Sequence, residues 1–222
     1  MLGQILPAEI YAFMLVFARI AAAVMLMPGV GEAYVPPRVR LGLALGLSLI
    51  IYPLVRDTLP GFPAQVMALA ILIIGEVVHG VVLGSVARLL LSGLHVAGTV
   101  IAFQSSLAYA QTVDPNQGTQ GALVSALFML IGVLLIYVTG LHGVLIAALY
   151  DSYTLFPAGT LPPADDYAQL VLSLVSSSFE IGLKMASPFI VYGLIFYIGL
   201  GVLQRLIPQV QLFFIMMPAQ LG

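Results

Sequence analysis

Apolar residues follow one another along this chain in runs that are too long and too uniform for the half-buried helices of a soluble protein. No Asp, Glu, Lys or Arg occurs at positions 89–113, 115–150, 185–204 or 206–222. A bilayer core about 30 Å thick is crossed by about 20 residues of α-helix. The runs do not alternate polar and apolar residues as the strands of a membrane barrel do, so they predict transmembrane helices.

Turn signals divide these runs into five helices and the beginning of a sixth. The predicted helices cover roughly residues 7–27, 41–55, 64–98, 121–150 and 167–207, and an acidic loop connects the last two. Pro188 predicts a kink or a break in the last helix. Because basic residues are enriched in cytoplasmic loops, the 28–40 loop and Arg205 are placed on the cytoplasmic side and the 151–166 loop outside. The predicted fold class is all-α, a polytopic membrane protein of about five to six long helices.

The composition agrees with this prediction and excludes several functions. Hydrophobic residues make up 61% of the 222 residues and charged residues only 7%, whereas a soluble domain has about 25% charged residues. The net charge of −2 and the seven scattered basic residues argue against binding to nucleic acid. The chain has no cysteine, which removes disulfides, thiolate catalysis and cysteine metal sites.

Some charged residues fall inside the predicted apolar helices, where an unpaired charge is costly. A relay for protons or ions is one interpretation, and structural pairing between helices or subunits is the interpretation that we favour. The charged residues concerned are Arg19, Glu76, Arg88, Glu180 and Lys184, and the last two have the i, i+4 spacing of a helical ion pair.

Two short patterns resemble catalytic or metal-binding motifs, but neither is complete. Glu76 and His79 form a Glu-x-x-His, whereas di-iron helix bundles need two such motifs and two further carboxylates. Ser92 and His95 share a helix face, yet no G-x-S-x-G elbow accompanies them. No catalytic residue, metal site or cofactor is therefore predicted, and we expect a protein that is not an enzyme.

The polar segment at residues 99–120 differs from the apolar runs on either side. Uncharged polar residues replace the aliphatic ones, Asp114 carries its only charge, and Asp114-Pro115-Asn116 predicts a turn. Composition leaves two interpretations open: an ordinary external loop, or a segment that lines or blocks an aqueous pore. Irregular backbone at membrane depth is tolerated only where protein or water covers it.

The sequence resembles the FliR family of flagellar type III export-gate subunits. Six stretches occur in the order in which they occur in the family and cover essentially the whole chain. They are PAEIYAFMLVFARI (7–20), PGVGEAYVPPRVRLGLAL (28–45), GEVVHGVVLG (75–84), AFQSSLAYAQTVDPNQGTQGAL (102–123), LYDSYTLFPAG (149–159) and LGVLQRLIPQVQLFF (200–214).

The resemblance implies a single gate-subunit domain over residues 1–222, whose helical hairpins pack into a hetero-oligomeric export gate of the flagellar basal body in the bacterial inner membrane. It implies one copy of this chain with about five FliP-type and about four FliQ-type subunits, a FlhB-type switch protein at the cytoplasmic entrance, unfolded export substrates in the pore and lipid around it. It also implies a pore plug in the polar segment. The implied plug residues are Phe103, Gln104, Ser105, Ser106, Leu107, Ala108, Tyr109, Gln111, Asp114, Pro115 and Gln117.

The helical parts on either side of the plug cover about residues 1–98 and 121–222 under this resemblance. Family members usually continue with another apolar helix beyond the position of Pro218, so the C-terminal part is expected to be truncated. The injectisome counterpart of the flagellar subunit is a close alternative. A solute transporter would need internal repeats, which we do not find, and an intramembrane enzyme would need a nucleophile and a base.

Overall fold

The computed structural model describes residues 2–105, 123–160 and 163–206, with side chains from residue 7 onward. All regular structure in these residues is helical, which confirms the predicted all-α class. The helices are α1 (Leu2–Leu26), α2 (Pro37–Val55), α3 (Val66–Gln104), α4 (Leu123–Val138), α5 (Leu141–Leu155) and α6 (Ala164–Leu206), and a 3₁₀ turn at Arg56–Thr58 follows α2.

Several of the helices are long and apolar enough to cross a membrane. Among the described residues they are Pro7–Leu26, Pro37–Thr58, Val66–Gln104 and Ala164–Leu206. Helices α4 and α5 form one further candidate span, bent by 74° at the break between them. With 39 and 43 residues, α3 and α6 are about 58 and 64 Å long at a rise of about 1.5 Å, roughly twice the thickness of a bilayer core.

The structure corrects the predicted fourth helix and the loop that follows it. The single helix predicted over 121–150 is two helices, because the chain turns at Gly140, whose φ of +76° favours glycine. Helix α5 continues to Leu155, and α6 already begins at Ala164. The loop predicted for 151–166 is therefore shorter, and Asp165 and Asp166 lie in the first turn of α6, where the helix dipole stabilises negative charge.

Helix α6 continues through Pro188, so the break that its sequence allowed as an alternative to a kink does not occur. Proline has no amide hydrogen, so the carbonyl of Lys184 loses its usual backbone donor. The Ser187 hydroxyl donates to that carbonyl at 2.8 Å and replaces the missing hydrogen bond. Serine side chains near a proline commonly satisfy backbone groups in membrane helices in this way.

Residues 1–89 and 135–174 form one compact unit, which contains most of the hydrophobic core. Helices α1 and α2 are antiparallel, and Glu9 near the start of α1 accepts hydrogen bonds from Tyr52 and Arg56 at the end of α2. Helix α3 approaches α1 closely at two glycines four residues apart. A Cβ atom would lie 2.1 Å from the Arg19 carbonyl oxygen if added at Gly80, and 2.5 Å from the Ala23 carbonyl oxygen if added at Gly84.

Residues 90–134 and 175–222 form the second unit, and glycines again lie where its helices approach each other. A Cβ at Gly98 of α3 would lie 2.4 Å from the Cα of Ser125 in α4. Between α3 and α6, a Cβ at Gly93 would lie 2.7 Å from the Ser178 carbonyl oxygen, and a Cβ at Gly182 would lie 2.7 Å from the Gly93 carbonyl oxygen. The backbones of these helices are therefore in direct contact.

Substitution of Gly80 tests whether close backbone approach holds α1 and α3 together. We expect Gly80→Ala to destabilise the protein by about 1–3 kcal/mol, the usual cost of overpacking, because its methyl group meets a backbone oxygen that cannot move alone. Gly46→Ala in α2 is the matched control, since a Cβ there meets nothing within 4 Å. Thermal unfolding in detergent measures both variants, and equal melting temperatures would contradict the expectation.

Candidate functional site

A buried ion pair between α1 and α3 lies in the first unit. Arg19 is 0% exposed and Glu76 is 1% exposed, and the Arg19 Nε atom donates to Glu76 Oε2 at 2.7 Å. Removing two charges from water is costly, and the pair is favourable only if the remaining donors and acceptors are also satisfied. The surroundings of both side chains meet this condition.

The rest of the Arg19 guanidinium is bound by α5 and by the residue after it. Its Nη1 atom donates to the Ser152 carbonyl oxygen at 3.2 Å and to the Ser152 hydroxyl at 3.3 Å. Its Nη2 atom donates to the Phe156 carbonyl oxygen at 3.0 Å. The carbon of the guanidinium lies 4.1 Å from the centre of the Tyr153 ring, which adds a cation–π contact. Every nitrogen of this buried cation therefore has an acceptor.

The second oxygen of Glu76 binds the connection between α5 and α6. Glu76 Oε1 accepts a hydrogen bond from the Gly159 amide at 3.2 Å. Gly159 has a φ of +87°, and a Cβ there would also lie 3.0 Å from the Pro60 ring. Both the backbone conformation and the lack of space therefore favour glycine at this position. One carboxylate thus joins α1, through Arg19, to the turn that follows α5.

His79, one turn after Glu76 on α3, binds residues of the α5–α6 connection and of α6. Its Nε2 atom lies 3.5 Å from the Thr160 carbonyl oxygen, and its Nδ1 atom is hydrogen-bonded to the Tyr167 hydroxyl. A carbonyl can only accept, so Nε2 carries the proton and Nδ1 accepts from the phenol. The two residues of the Glu-x-x-His motif therefore have separate partners, and no cluster of three metal-ligating side chains occurs among the described residues.

We name this group of side chains the Arg19 cluster: Arg19, Glu76, His79, Ser152, Tyr153 and Tyr167. It pairs a cation with an anion, is enclosed by protein, and joins α1, α3, α5 and the start of α6 by hydrogen bonds. Such a network specifies which segments lie together, because each misplaced segment would leave a buried charge or hydrogen-bonding group without a partner. The arrangement fits the structural interpretation of these charges.

Arg88, Glu180 and Lys184, which were predicted to be buried, are exposed in the isolated chain. Arg88 lies 4.0 Å from Glu32 and is 45% exposed. Lys184 donates to Glu180 at 2.6 Å, the predicted i, i+4 pair, while the two side chains are 73% and 63% exposed. Within residues 2–105, 123–160 and 163–206, no segment covers these charges. Their burial therefore stays a prediction about an assembled state.

The implied plug lies partly within the described residues. Phe103 and Gln104 belong to the last turn of α3, and Ser105 follows it, with its hydroxyl donating to the Ile101 carbonyl oxygen at 2.8 Å. The helix thus extends into the segment that composition separated from it at residue 99. The remaining plug residues lie outside the described residues: Ser106, Leu107, Ala108, Tyr109, Gln111, Asp114, Pro115 and Gln117.

Reasoning from the sequence missed several members of the Arg19 cluster. Ser152 and Tyr153, and also the Gly159 that donates to Glu76, belong to the stretch LYDSYTLFPAG, which was noted for its resemblance and otherwise assigned mostly to a loop. The available signal was a group of polar residues and a glycine that follow the apolar run at 115–150. The contacts of Ser152 and Tyr153 with Arg19, and of Gly159 with Glu76, could not be derived, because they depend on how helices distant in sequence pack.

Comparison with known proteins shows the family of this chain. Residues 10–222 match the family of bacterial export proteins, family 1. This chain belongs to that family. The match extends over both compact units and includes every residue of the Arg19 cluster.

Individual members of the export family are similar over most of their length. The flagellar biosynthetic protein FliR of Caulobacter vibrioides is 38% identical over 210 residues, which is 95% of this chain and 84% of the relative. FliR of Escherichia coli is 30% identical over 91% of this chain and 77% of its own length. The Yop proteins translocation protein T of Yersinia pestis is 23% identical over 98% of this chain and 84% of its own length.

Replacing Glu76 tests whether the cluster stabilises this export protein. We expect Glu76→Gln to lower the unfolding free energy by about 3–5 kcal/mol, because it leaves the buried Arg19 cation without its counter-charge. Adding Arg19→Met should recover part of the loss, since the uncompensated charge is then gone. Glu180→Gln, which breaks an exposed pair, is the matched control with little expected effect. Equal melting-temperature shifts for the two glutamate variants in detergent would contradict the role of the cluster.

Proposed function

We propose that this chain is a structural and gating subunit of the flagellar type III export gate, with no enzymatic activity. With FliP-type and FliQ-type subunits it forms a pore that carries unfolded flagellar proteins across the bacterial inner membrane. A FlhB-type switch protein lies at the cytoplasmic entrance of this assembly. The proposed copy number is one of this chain in each gate.

The observation that carries the proposal is the extent of the similarity to FliR. The 38% identity to the Caulobacter vibrioides protein runs over 95% of this chain, so it includes both compact units and the polar segment. The injectisome-type relative covers a similar share at only 23% identity. The flagellar system is therefore favoured, and the injectisome is the second candidate.

The helix surfaces support a role within a larger assembly. In the apolar windows of α2, α3 and α6, only 22%, 22% and 11% of the residues are buried by the chain itself. Lipid could cover such apolar surfaces, but α6 also exposes the Glu180–Lys184 ion pair within its candidate span. Charged side chains in membrane helices face protein or water in most known cases. Partner subunits that cover α6 account for both features.

The gating part of the proposal concerns the polar segment after α3. We propose that residues 103–117 form a plug that closes the pore in the resting gate. Uncharged polar and aromatic side chains suit a constriction that blocks ions yet yields to a passing polypeptide. The support is the composition of the segment, its resemblance to the FliR plug and its position directly after the long helix α3.

Native mass spectrometry tests the assembly. The chain is co-expressed with FliP-like and FliQ-like proteins from the same genome and purified through a tag on this chain. We expect a stable complex with one copy of this chain and about nine partner subunits, because most of its apolar helix surface needs a cover that a lone chain lacks. A monomer or homodimer under conditions in which the partners are expressed would contradict the proposal.

Deleting residues 106–113 tests the plug. The deletion begins after Ser105, so the described contacts at the end of α3 are retained. We expect the complex to assemble but the resting membrane to leak small ions, because the pore has lost its constriction. Deletion of the exposed residues Ala33–Tyr34, between α1 and α2, is a control for loop shortening. A tight membrane around a fully assembled deletion variant would rule out the plug.

A further inference from the structure

A side-chain contact in the second unit lies at the point where the chain leaves α3. Gln104 is the last residue of this helix, and its side chain lies over Gly193 of α6. A Cβ atom added at Gly193 would lie 2.1 Å from Gln104 Oε1 and 3.0 Å from Gln104 Cδ. The amide group therefore occupies the space that any other residue at position 193 would fill.

Gly193 belongs to the face of α6 that packs against α3. After residue 181, the buried positions of α6 in the described part of the chain are Gly182, Ala186 and Gly193. Gly182 contacts the Gly93 carbonyl, and Gly193 contacts Gln104. The second contact therefore lies 11 residues beyond the first on both helices. Eleven residues are about three helical turns, which returns both contacts to one helix face. Gly193 thus lies at the last position where the described part of α3 meets α6.

We propose that the contact between Gln104 and Gly193 is a positioning contact, the anchor, which fixes the end of α3 from which the plug continues. This inference rests on the proposed function, because it assigns to two residues the task of fixing the segment that closes the pore. The sequence analysis assigned Gln104 to the plug, whereas this inference assigns it to the contact that holds the plug in place. Gly193 had no role in the sequence analysis.

The surroundings of Gln104 leave room to remove the contact by substitution at Gly193. A cavity of about 330 Å³ lies beside it, lined by Gln104, Ser105, Pro188, Phe189 and Tyr192. The clashing atoms belong to the end of a flexible side chain, so Gly193→Ala pushes the amide aside into free space. We expect this variant to assemble normally and to leak small ions several-fold more than the parent. Gly199→Ala on the same helix is the matched control, because a Cβ there meets nothing within 4 Å.

A cysteine pair gives a sharper test with a reversible readout. A Cβ at position 193 would lie 3.8 Å from the Gln104 Cβ, which matches the mean of about 3.8 Å in disulfides, and the chain has no cysteine of its own. Gln104→Cys with Gly193→Cys should therefore cross-link on oxidation within the assembled gate. We expect the membrane to leak when this double variant is reduced, because the glutamine amide is missing. The leak should stop on oxidation, when the disulfide again holds position 104 against position 193.

The outcomes separate the anchor from the plug. If deletion of 106–113 causes no leak, the plug itself is wrong and the anchor proposal is overturned with it. If that deletion leaks but the cysteine pair fails to cross-link, or leaks equally when oxidised and reduced, only the anchor is overturned. Either single-cysteine variant should leak in both redox states, and a redox response in one of them would also overturn the proposal. A leak that oxidation reverses only in the double variant supports the anchor.

Discussion

Direct approach of helix backbones is the constraint on which this structure depends. In an apolar environment the hydrophobic effect gives helices little reason to associate, so close packing and hydrogen bonds have to hold them together. Gly80 and Gly84 allow α3 to contact α1, and Gly93 and Gly182 allow α3 to contact α6. Each of these glycines would bring a Cβ to within 3 Å of a backbone oxygen, so a larger residue would separate the helices. The positions of these glycines therefore determine where α3 can contact α1 and α6.

The Arg19 cluster adds the specificity that close packing alone lacks. Glycine faces allow many pairings and registers, whereas a buried guanidinium with four acceptor contacts permits few. The cluster also joins helices to a turn, through the Gly159 amide, so it fixes a connection as well as a packing face. The cluster therefore holds α1, α3, α5 and the start of α6 together in the first unit.

The sequence predicted the class of fold well and the details of its helices less well. Long runs without charge predicted the helices, because lipid leaves the backbone few alternatives. The bend at Gly140 was not predicted, since the surrounding residues are uniformly apolar and carry no turn signal beyond Thr139-Gly140. The break considered at Pro188 does not occur, and a hydroxyl three residues from the orphaned carbonyl replaces the hydrogen bond that the proline removes. Such compensation depends on a rotamer rather than on composition.

The candidate site was predicted in part, for similar reasons. Arg19 and Glu76 were recognised as costly charges inside apolar helices, but their mutual contact joins residues 57 positions apart and depends on helix packing. The acceptors of Arg19 at Ser152 and Phe156, and the donor to Glu76 at Gly159, lie in a stretch with no charge of its own apart from Asp151. The Gln104–Gly193 contact was not predicted, because a glycine in an apolar helix gives no sign of what lies against it. Polar partners of buried charges are found in the structure rather than in the sequence pattern.

The separation of Arg19 and Glu76 along the chain also constrains how the protein is made. The ribosome produces Arg19 first, and its counter-charge follows 57 residues later with the third helix. Until then α1 carries an unpaired cation, which costs about 2.5–3.5 kcal/mol near the centre of a membrane helix. The complete set of partners of Arg19 is available later still, because its other acceptors are at Ser152 and Phe156. The order of synthesis therefore separates the two halves of this ion pair by two helices, and the charge of α1 is neutralised only after α3 has been made.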